Sequence, residues 1–397
     1  MDIRRISLYM LAAINFTHIV DVMILMPLGD VFMSIYDINP SQFSILVASY
    51  SIGAFISSLI GFFYLDVFDR KKALLFIYTG FIVGTVACGF TNSYESLLLI
   101  RFITGLFGGM IGALVLSVIS DLYKFEERGN AMGIIMGAFS AAAALGVPTG
   151  LYLAETFSWR VPFFLIGGVG ILNLSILYFY FPNMTEHLKT VNKDRSILKV
   201  LESVFNDQNQ INALTLGFVL VLGHFIIIPF ITPYMTRNIG FEQSQITYIY
   251  FLGGILTVFT APLLGRWTDK YGAVKLFTIL MTISFIPVFI LTNLPPVPVF
   301  VALIVTSVFF VLGSGRFIPP NTLITAAAGT DSRGSFMSVK SALQQLAVGL
   351  SSVLGGMIIT FDDDLKLEHY NIVGYISIAT CIVGMYLIRR IKVAEGN

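Results

Sequence analysis

Long apolar runs separated by short polar turns dominate this chain. A bilayer core about 30 Å thick is crossed by about 20 apolar residues of helix, and the sequence contains about twelve such runs. A chain with 56% hydrophobic and 12% charged residues has too much apolar surface for a water-soluble fold. The runs are also too long for barrel strands, which have about ten residues of alternating polarity. We therefore predict an all-α membrane protein with spans near residues 6–29, 42–65, 73–91, 95–120, 131–154, 160–181, 211–236, 244–265, 275–293, 297–322, 335–360 and 369–389.

A charged loop recurs 203 positions apart and indicates an internal duplication. A second pair, Arg128-Gly129 and Arg333-Gly334, recurs at a spacing of 205. Six spans return a chain to its starting side, so the two halves are parallel repeats, an arrangement typical of transporters. We expect an N-terminal six-helix bundle in residues 1–181, a cytoplasmic linker in 182–210 and a C-terminal six-helix bundle in 211–397. The two copies of the loop contain Phe62, Asp66, Asp69, Arg70 and Lys71, and Gly265, Asp269, Lys270, Gly272 and Lys275.

The basic residues predict the orientation. In a twelve-span arrangement nineteen of the 24 Lys and Arg residues fall on one side. Arg160, Arg237 and Lys366 fall on the other side, and Arg101 and Arg316 fall inside spans. The positive-inside rule places both termini in the cytoplasm. The net charge of +1 offers no basic field for nucleic acid.

Three sequence elements resemble the major facilitator superfamily. The second loop copy, residues 265–272, is similar to that family's loop between its second and third spans. The fourth span carries Arg101 and Gly105, similar to the family's R-x-x-x-G element. The fifth span contains Gly137 and then Gly146-Val147-Pro148-Thr149-Gly150, which resembles the element of its proton-coupled antiporters. The chain as a whole looks most like the bacterial twelve-span drug and sugar efflux members, the drug:proton antiporter-1 group.

This resemblance implies a major facilitator fold of two pseudo-symmetric six-helix bundles in a bacterial inner membrane. It implies a small-molecule substrate, protons as the coupling ion and a link to drug resistance. The loop residues would form a conformational switch, with Asp66 capping the eleventh span near Arg333; the alternative is a solvated loop charge. The first loop copy departs from the family pattern at Phe62, Val67 and Asp69. The proposed switch residues are Asp66, Arg70, Asp269, Gly265 and Gly272.

Asp21 is the strongest candidate for chemistry. It lies in the middle of the first span, where a charge costs at least about 2.5–3.5 kcal/mol on insertion scales. A carboxylate that exchanges a proton for a cation suits an exchanger, and in related efflux proteins an acid in the first span often serves in coupling. The alternative is that Asp21 only pairs with a neighbouring helix.

Two histidines accompany this acid. His18 lies one turn before Asp21, so both can face one cavity. His224 follows Asp21 by 203 positions, which is the repeat offset, so the two would occupy mirrored places. Either histidine is a candidate proton relay or ligand contact, or alternatively a packing residue.

Two arginines lie inside spans. Arg101 resembles the family's arginine that assists proton transfer, and the alternative is a residue that reaches the interface. Arg316 lies among Gly313, Gly315, Pro319 and Pro320, a composition that predicts an interrupted helix lining a cavity. Arg316 would then bind an anionic group or pair with an acid. Further candidates for lining the cavity are Asn321 and Gln344–Gln345.

Small residues recur every four positions in the fifth span. The stripe consists of Ala138, Ala142, Gly146, Gly150 and Ala154, and such stripes allow close helix contact. We expect this stripe to pack between the halves rather than to contact substrate. Pro148 within it should bend the helix.

These features predict a monomeric transporter that exports a small amphipathic compound in exchange for protons. A sugar or metabolite carrier and a lipid flippase are alternatives within transport. Alternatives outside transport are a membrane-embedded enzyme, for which only His18 and Asp21 come close to a catalytic pair, and a non-transporting receptor. We expect membrane lipids as partners. We expect no enzyme activity, no cofactor and no metal site.

Overall fold

The structure is a computed structural model that describes residues 3–64, 68–123, 128–185, 188, 204–328 and 333–393. Within these ranges the side chains of 3, 62–64, 128–130, 136 and 333–335 are not described. Twelve helical segments of the described residues are long and apolar enough to cross a membrane. The prediction of an all-α, twelve-span chain is therefore confirmed. The helices and strands are α1 (Ile3–Ile24), α2 (Gly29–Ile35), α3 (Pro40–Tyr64), α4 (Arg70–Gly89), α5 (Tyr94–Leu122), α6 (Arg128–Ala141), α7 (Val147–Thr156), α8 (Val161–Tyr180), α9 (Gln208–Phe225), α10 (Ile231–Arg237), α11 (Gln243–Tyr271), α12 (Ala273–Thr292), α13 (Val299–Ala326), α14 (Arg333–Ile358), β1 (Thr360–Phe361), β2 (Leu367–Glu368) and α15 (Tyr370–Leu387).

The first and seventh spans end in corresponding breaks. Helix α1 stops at Ile24, and a turn that contains Pro27 leads into α2. Helix α9 stops at Phe225, and a 3₁₀ turn that contains Pro229 leads into α10. A proline interrupts a helix because it lacks the N–H donor and crowds the preceding turn. The two prolines lie 202 positions apart, so these breaks are a further trace of the duplication.

The tenth span is not interrupted, so that prediction is wrong. Helix α13 runs unbroken through Pro319 and Pro320. Each proline removes one helical hydrogen bond, and in a membrane bundle neighbouring helices and hydroxyl side chains can compensate for the loss. The hydroxyl of Thr322 donates to the carbonyl of Pro319 at 2.7 Å within this segment.

The chain forms two compact units. The first contains residues 1–25 and 49–197, and the second contains residues 26–48 and 198–397. The segment between the first and second spans therefore belongs to the unit built mainly from the second half. The domain boundary at 181–211 that the sequence suggests stays a prediction.

Each unit repeats the same set of helix neighbours. In the first unit α1 packs against α6 and α8, and α4 packs against α5 and α8. In the second unit α9 packs against α14 and α15, and α12 packs against α13 and α15. Counted as spans, the two sets are identical after a shift of six. The packing therefore carries the same duplication that the loops show in the sequence.

Glycines bring α3 and α5 into backbone contact. A Cβ atom at Gly105 would meet the Tyr50 carbonyl, and one at Gly53 would meet the Phe102 carbonyl. The hydroxyl of Ser58 donates to the Gly109 carbonyl at 3.0 Å across the same seam. This close approach brings Tyr50 of α3 beside Arg101 of α5.

We expect Gly105→Ala to destabilise the first unit by about 1–3 kcal/mol, because the obstacle is backbone that cannot rotate away. Gly112→Ala on the same helix is the matched control, since no atom lies within 4 Å of a Cβ there and alanine favours helix over glycine. Thermal unfolding of both purified variants in detergent checks this. Equal midpoints for the two variants would contradict the close packing.

Candidate functional site

Asp21 and Arg101 form a buried ion pair inside the first unit. The Arg101 Nη1 atom donates to Asp21 Oδ2 at 2.8 Å, and the two side chains are 1% and 0% exposed. Helix α1 contributes the carboxylate of Asp21, and α5 contributes the guanidinium of Arg101. The structure thus brings together the two residues that the sequence proposed for proton coupling. It also shows that Asp21 is paired with a neighbouring helix, which was the alternative interpretation.

His18 and Tyr50 lie beside this pair. The His18 Nε2 atom and the Tyr50 hydroxyl are 2.9 Å apart, and the Arg101 guanidinium carbon lies 4.6 Å from the centre of the Tyr50 ring. A Cβ atom at position 108 would collide with the Tyr50 hydroxyl, so Gly108 makes room for it. We call His18, Asp21, Tyr50 and Arg101 the acidic cluster.

Two side-chain atoms of the acidic cluster are available for a further hydrogen bond. Among the described residues neither Asp21 Oδ1 nor Arg101 Nε has a hydrogen-bond partner. A buried carboxylate oxygen without a donor is costly, and protonation of the carboxyl group would remove its charge. The cluster therefore keeps one acceptor atom, Asp21 Oδ1, and one donor atom, Arg101 Nε, for a further partner.

Tyr50 was missed by sequence analysis. Nothing in its local sequence distinguishes it from a membrane-facing tyrosine, and only the α3–α5 contact reveals its place. His18 and Asp21, by contrast, were expected to face one cavity, and both contribute to the acidic cluster.

His224 occupies the related place in the second unit. Its ring stacks on Phe309 with centroids 5.5 Å apart, and Phe317 meets it edge-on at 5.1 Å. A Cβ atom at Gly313 would lie 2.9 Å from the His224 ring, so glycine is needed for this packing. Its Nδ1 atom has no hydrogen-bond partner in the part of the chain that the structure describes.

Arg316 is buried near His224. The side chain donates to Ser377 Oγ at 3.2 Å and to Cys381 Sγ at 3.0 Å, both on α15. Ser377 in turn donates to the carbonyl of Gly223 on α9. Arg316 thus joins three spans of the second unit, and none of these described contacts is a carboxylate.

Asn321 contacts a second buried cation. Lys340 Nζ donates to Asn321 Oδ1 at 2.7 Å, and Lys340 is 7% exposed. Gln344 is half-buried one turn further along α14. Sequence analysis counted Lys340 among the flanking charges, although its position five residues inside a predicted span was the signal that also marked Arg101.

The first charged loop is described only in part. Asp66 lies outside the described residues. Asp69 caps α4, with its carboxylate accepting from Lys71 N at 2.8 Å. Arg70 is buried and its Nε atom donates to Asp121 Oδ2 at 3.0 Å, which joins the third span to the end of the fourth. Sequence analysis missed Asp121.

The second charged loop is mostly helix. Helix α11 continues to Tyr271, so Gly265 and Asp269 are helical rather than in a loop. The turn is Gly272, whose φ of +85° favours glycine over any residue with a side chain. The predicted end of the eighth span at residue 265 is therefore six residues too early.

The fifth span contains a π-helical turn at residues 142–146, directly before Pro148. A π-helical turn and a proline are both features at which helices kink, so the predicted bend would lie here. Gly146 and Gly150 face Val20 and Ile24 of α1 in the same unit. These two glycines let the first span approach the fifth. That they also pack between the halves stays a prediction. No atom lies within 4 Å of a Cβ built at Gly137.

An apolar cavity and the His, Cys, Asp and Glu residues of the described ranges add no further candidate site. A cavity of about 820 Å³ lies among α4, α5 and α8, and its lining is almost entirely apolar. Within the described ranges no group of three or more His, Cys, Asp or Glu residues has the spacing to hold a metal ion. The buried charges inside the spans are therefore the candidate functional groups.

Twelve spans in two units with the same helix neighbours, and ionisable side chains buried within the spans, are typical of a multi-span transporter. The sequence profile MFS_1, described as Major Facilitator Superfamily, matches residues 11–221 and 213–396. The chain belongs to this family.

Known proteins agree with this assignment. An uncharacterized MFS-type transporter of Bacillus subtilis, YbcL, is 21% identical over 322 residues, covering 81% of this chain and 79% of its own. Multidrug resistance protein 3 of the same organism is 28% identical over 148 residues, covering 37% and 29% of the two chains. The crystal structure of a D-xylose-proton symporter superposes with a TM-score of 0.79 at 18% identity and covers 99% of each chain. This last similarity shows the fold alone.

Proposed function

We propose that this transporter exports a small amphipathic compound in exchange for protons, as a member of the drug:proton antiporter-1 group. The observation that carries the proposal is the buried Asp21–Arg101 pair. An antiporter needs one site that either a proton or a substrate can neutralise. A carboxylate within a span, already satisfied by only one cation, meets that need.

The proposed cycle follows from the charges of the acidic cluster. With Asp21 ionised, its charge-assisted hydrogen bond ties α1 to α5. A proton on Asp21 cancels the attraction and leaves the Arg101 guanidinium against the Tyr50 ring. The two protonation states then favour different arrangements of the bundles, and the bundles rock between them.

Composition and one relative support the substrate class. The chain holds 35 Phe and 14 Met, residues that suit an apolar and adaptable pocket. A multidrug resistance protein is among the similar sequences. A second candidate is a carrier of a small anionic metabolite, and the buried Arg316 and Lys340 of the second unit favour it.

Orientation and location belong to the same proposal. The excess of Lys and Arg on one side supports cytoplasmic termini, and the bacterial relatives support a location in a bacterial cell membrane. We propose that the protein works as a monomer, since the acidic cluster is complete within one chain.

Proteoliposomes with an imposed pH gradient test the proposal. We expect uptake of a lipophilic cationic dye into the compartment of higher proton concentration, and its loss when an ionophore collapses the gradient. Transport at an unchanged rate without the gradient would remove proton coupling. Gradient-driven movement of a small carboxylate, but of no cation, would favour the second candidate.

An ion pair joins the segment after the first span to the end of the seventh. Arg237 of α10 pairs with Asp30 of α2 and also donates to Ser34 Oγ at 3.2 Å. Its guanidinium carbon lies 4.6 Å from the centre of the Phe361 ring in β1. In the proposed orientation this contact lies on the external side, and we propose that it forms in one of the two states of the cycle and breaks in the other.

We expect Asp30→Arg and Arg237→Asp each to lower the transport rate about 5-fold. Destabilising one conformational state by roughly 1 kcal/mol changes its population by that factor. The double charge swap should restore most of the rate, because it restores the attraction. Transport assays of all three variants check this. A double variant that is as slow as the single ones would show that the charges do not act through each other.

A further inference from the structure

The Arg316 guanidinium is a buried cation without a counter-charge among the described residues of its own unit. The side chain is 2% exposed, and its described partners, Ser377 and Cys381, are a hydroxyl and a free thiol. Each described Asp or Glu of the second unit lies in a loop or within three residues of a helix end. A buried guanidinium normally has an anionic partner, so one is missing from the described part of this unit.

A small cavity adjoins this guanidinium. Arg316, His224 and Ser284 line it together with apolar side chains of α12 and α13. The space open to the centre of a water-sized sphere is about 10 Å³, which is about what one such sphere needs. The cavity therefore suits a monatomic ion and is too small for a sugar or a drug.

His224 is a second polar group at the same cavity. It is 8% exposed, and its Nδ1 atom has no partner among the described residues. A neutral imidazole can donate one N–H, so His224 and Arg316 can both donate to one anion.

A comparison between the two repeats also indicates that a carboxylate is missing from the described part of the second unit. In the first unit the arginine of the fourth span pairs with Asp21 of the first span. His224 follows Asp21 by the 203-residue repeat offset, so an imidazole ring stands where the first unit has a carboxylate. Arg316 lies 215 positions after Arg101 and is therefore not the repeat counterpart of that arginine. We propose that the second unit binds a halide ion, with chloride as the physiological species, between Arg316 and His224. The ion takes the place of the missing carboxylate.

Chloride-dependent stability tests this site without any transport measurement. Purified protein in detergent is heated in sodium gluconate while chloride replaces gluconate at constant ionic strength. Ligand that binds only the folded state raises the unfolding midpoint, and we expect a saturable rise of about 2–4 °C. Arg316→Gln should abolish the rise. Arg160→Gln should keep it, because Arg160 belongs to the first unit and donates to Thr91 and Asn92.

A structural measurement covers the case in which Arg316→Gln does not fold. Crystals of the unaltered protein grown with sodium bromide should show an anomalous bromide peak within hydrogen-bond reach of Arg316 and His224. A chloride response that Arg316→Gln retains in full would overturn the proposal, as would a cavity without an anomalous peak. Stabilisation by acetate but not by chloride would also overturn it, and would assign the cavity to the carboxylate of a substrate.

Discussion

Asp21→Asn is expected to reduce gradient-driven transport by about 100-fold or more, which is the scale on which a positioned proton-transfer group contributes. Asparagine keeps the size of aspartate and can still accept a hydrogen bond from Arg101, but it has no proton to exchange. Transport in proteoliposomes with an imposed pH gradient measures the loss. Equilibrium binding of a cationic substrate should weaken as well, because Asp21 is the carboxylate that the substrate is proposed to neutralise.

Two further variants separate coupling from structure. Asp364→Asn removes a carboxylate whose side chain is 77% exposed. This variant should transport at the rate of the unaltered protein. The double variant Asp21→Asn, Arg101→Gln removes both buried charges. If the pair only held α1 to α5, this double variant would recover transport, and that recovery would refute the proton-carrier role.

Arg101→Met is expected to lower the free energy of unfolding by about 3–5 kcal/mol, because it leaves the Asp21 carboxylate buried and unpaired. Methionine fills much of the same volume, so the loss reports charge more than packing. Denaturant titration of the purified protein at neutral pH measures it. Arg266→Met is the control, since Arg266 is exposed and exposed substitutions change stability by about 0.5 kcal/mol or less.

The double variant Arg101→Met, Asp21→Leu completes this test. Removing both charges of a buried pair is often neutral or stabilising, so the double variant should regain most of the stability that Arg101→Met loses. A double variant as unstable as the single one would mean that Arg101 contributes through its contact with the Tyr50 ring rather than through its charge.

Polar residues inside apolar runs were the most informative signal in the sequence. Asp21, Arg101 and Arg316 stood out because a membrane span rarely carries a charge without a use, and all three are buried side chains inside helices. Lys340 gave the same signal but lay close enough to a span end to be counted as a flanking charge. A position near a boundary is ambiguous because span ends are uncertain by several residues.

Sequence patterns did not predict which helices contact each other. The stripe containing Gly146 and Gly150 predicted a close approach to the other half, whereas the described contacts of these two glycines are with α1 of the same unit. The two prolines of the tenth span suggested a break, yet α13 stays continuous. In both cases the outcome depends on neighbouring helices that are distant in the sequence.

Hydrophobic length, the repeat offset and the charges within spans were enough to establish twelve membrane-spanning helices in two related halves, since the bilayer forces backbone groups to pair within each span. Only the tertiary structure decided which charges meet: Asp21 finds Arg101, whereas the described structure offers Arg316 a hydroxyl and a thiol. The physical reason is that a side chain's electrostatic partner depends on which helices pack together, and the packing of small and large residues over the whole unit determines that choice.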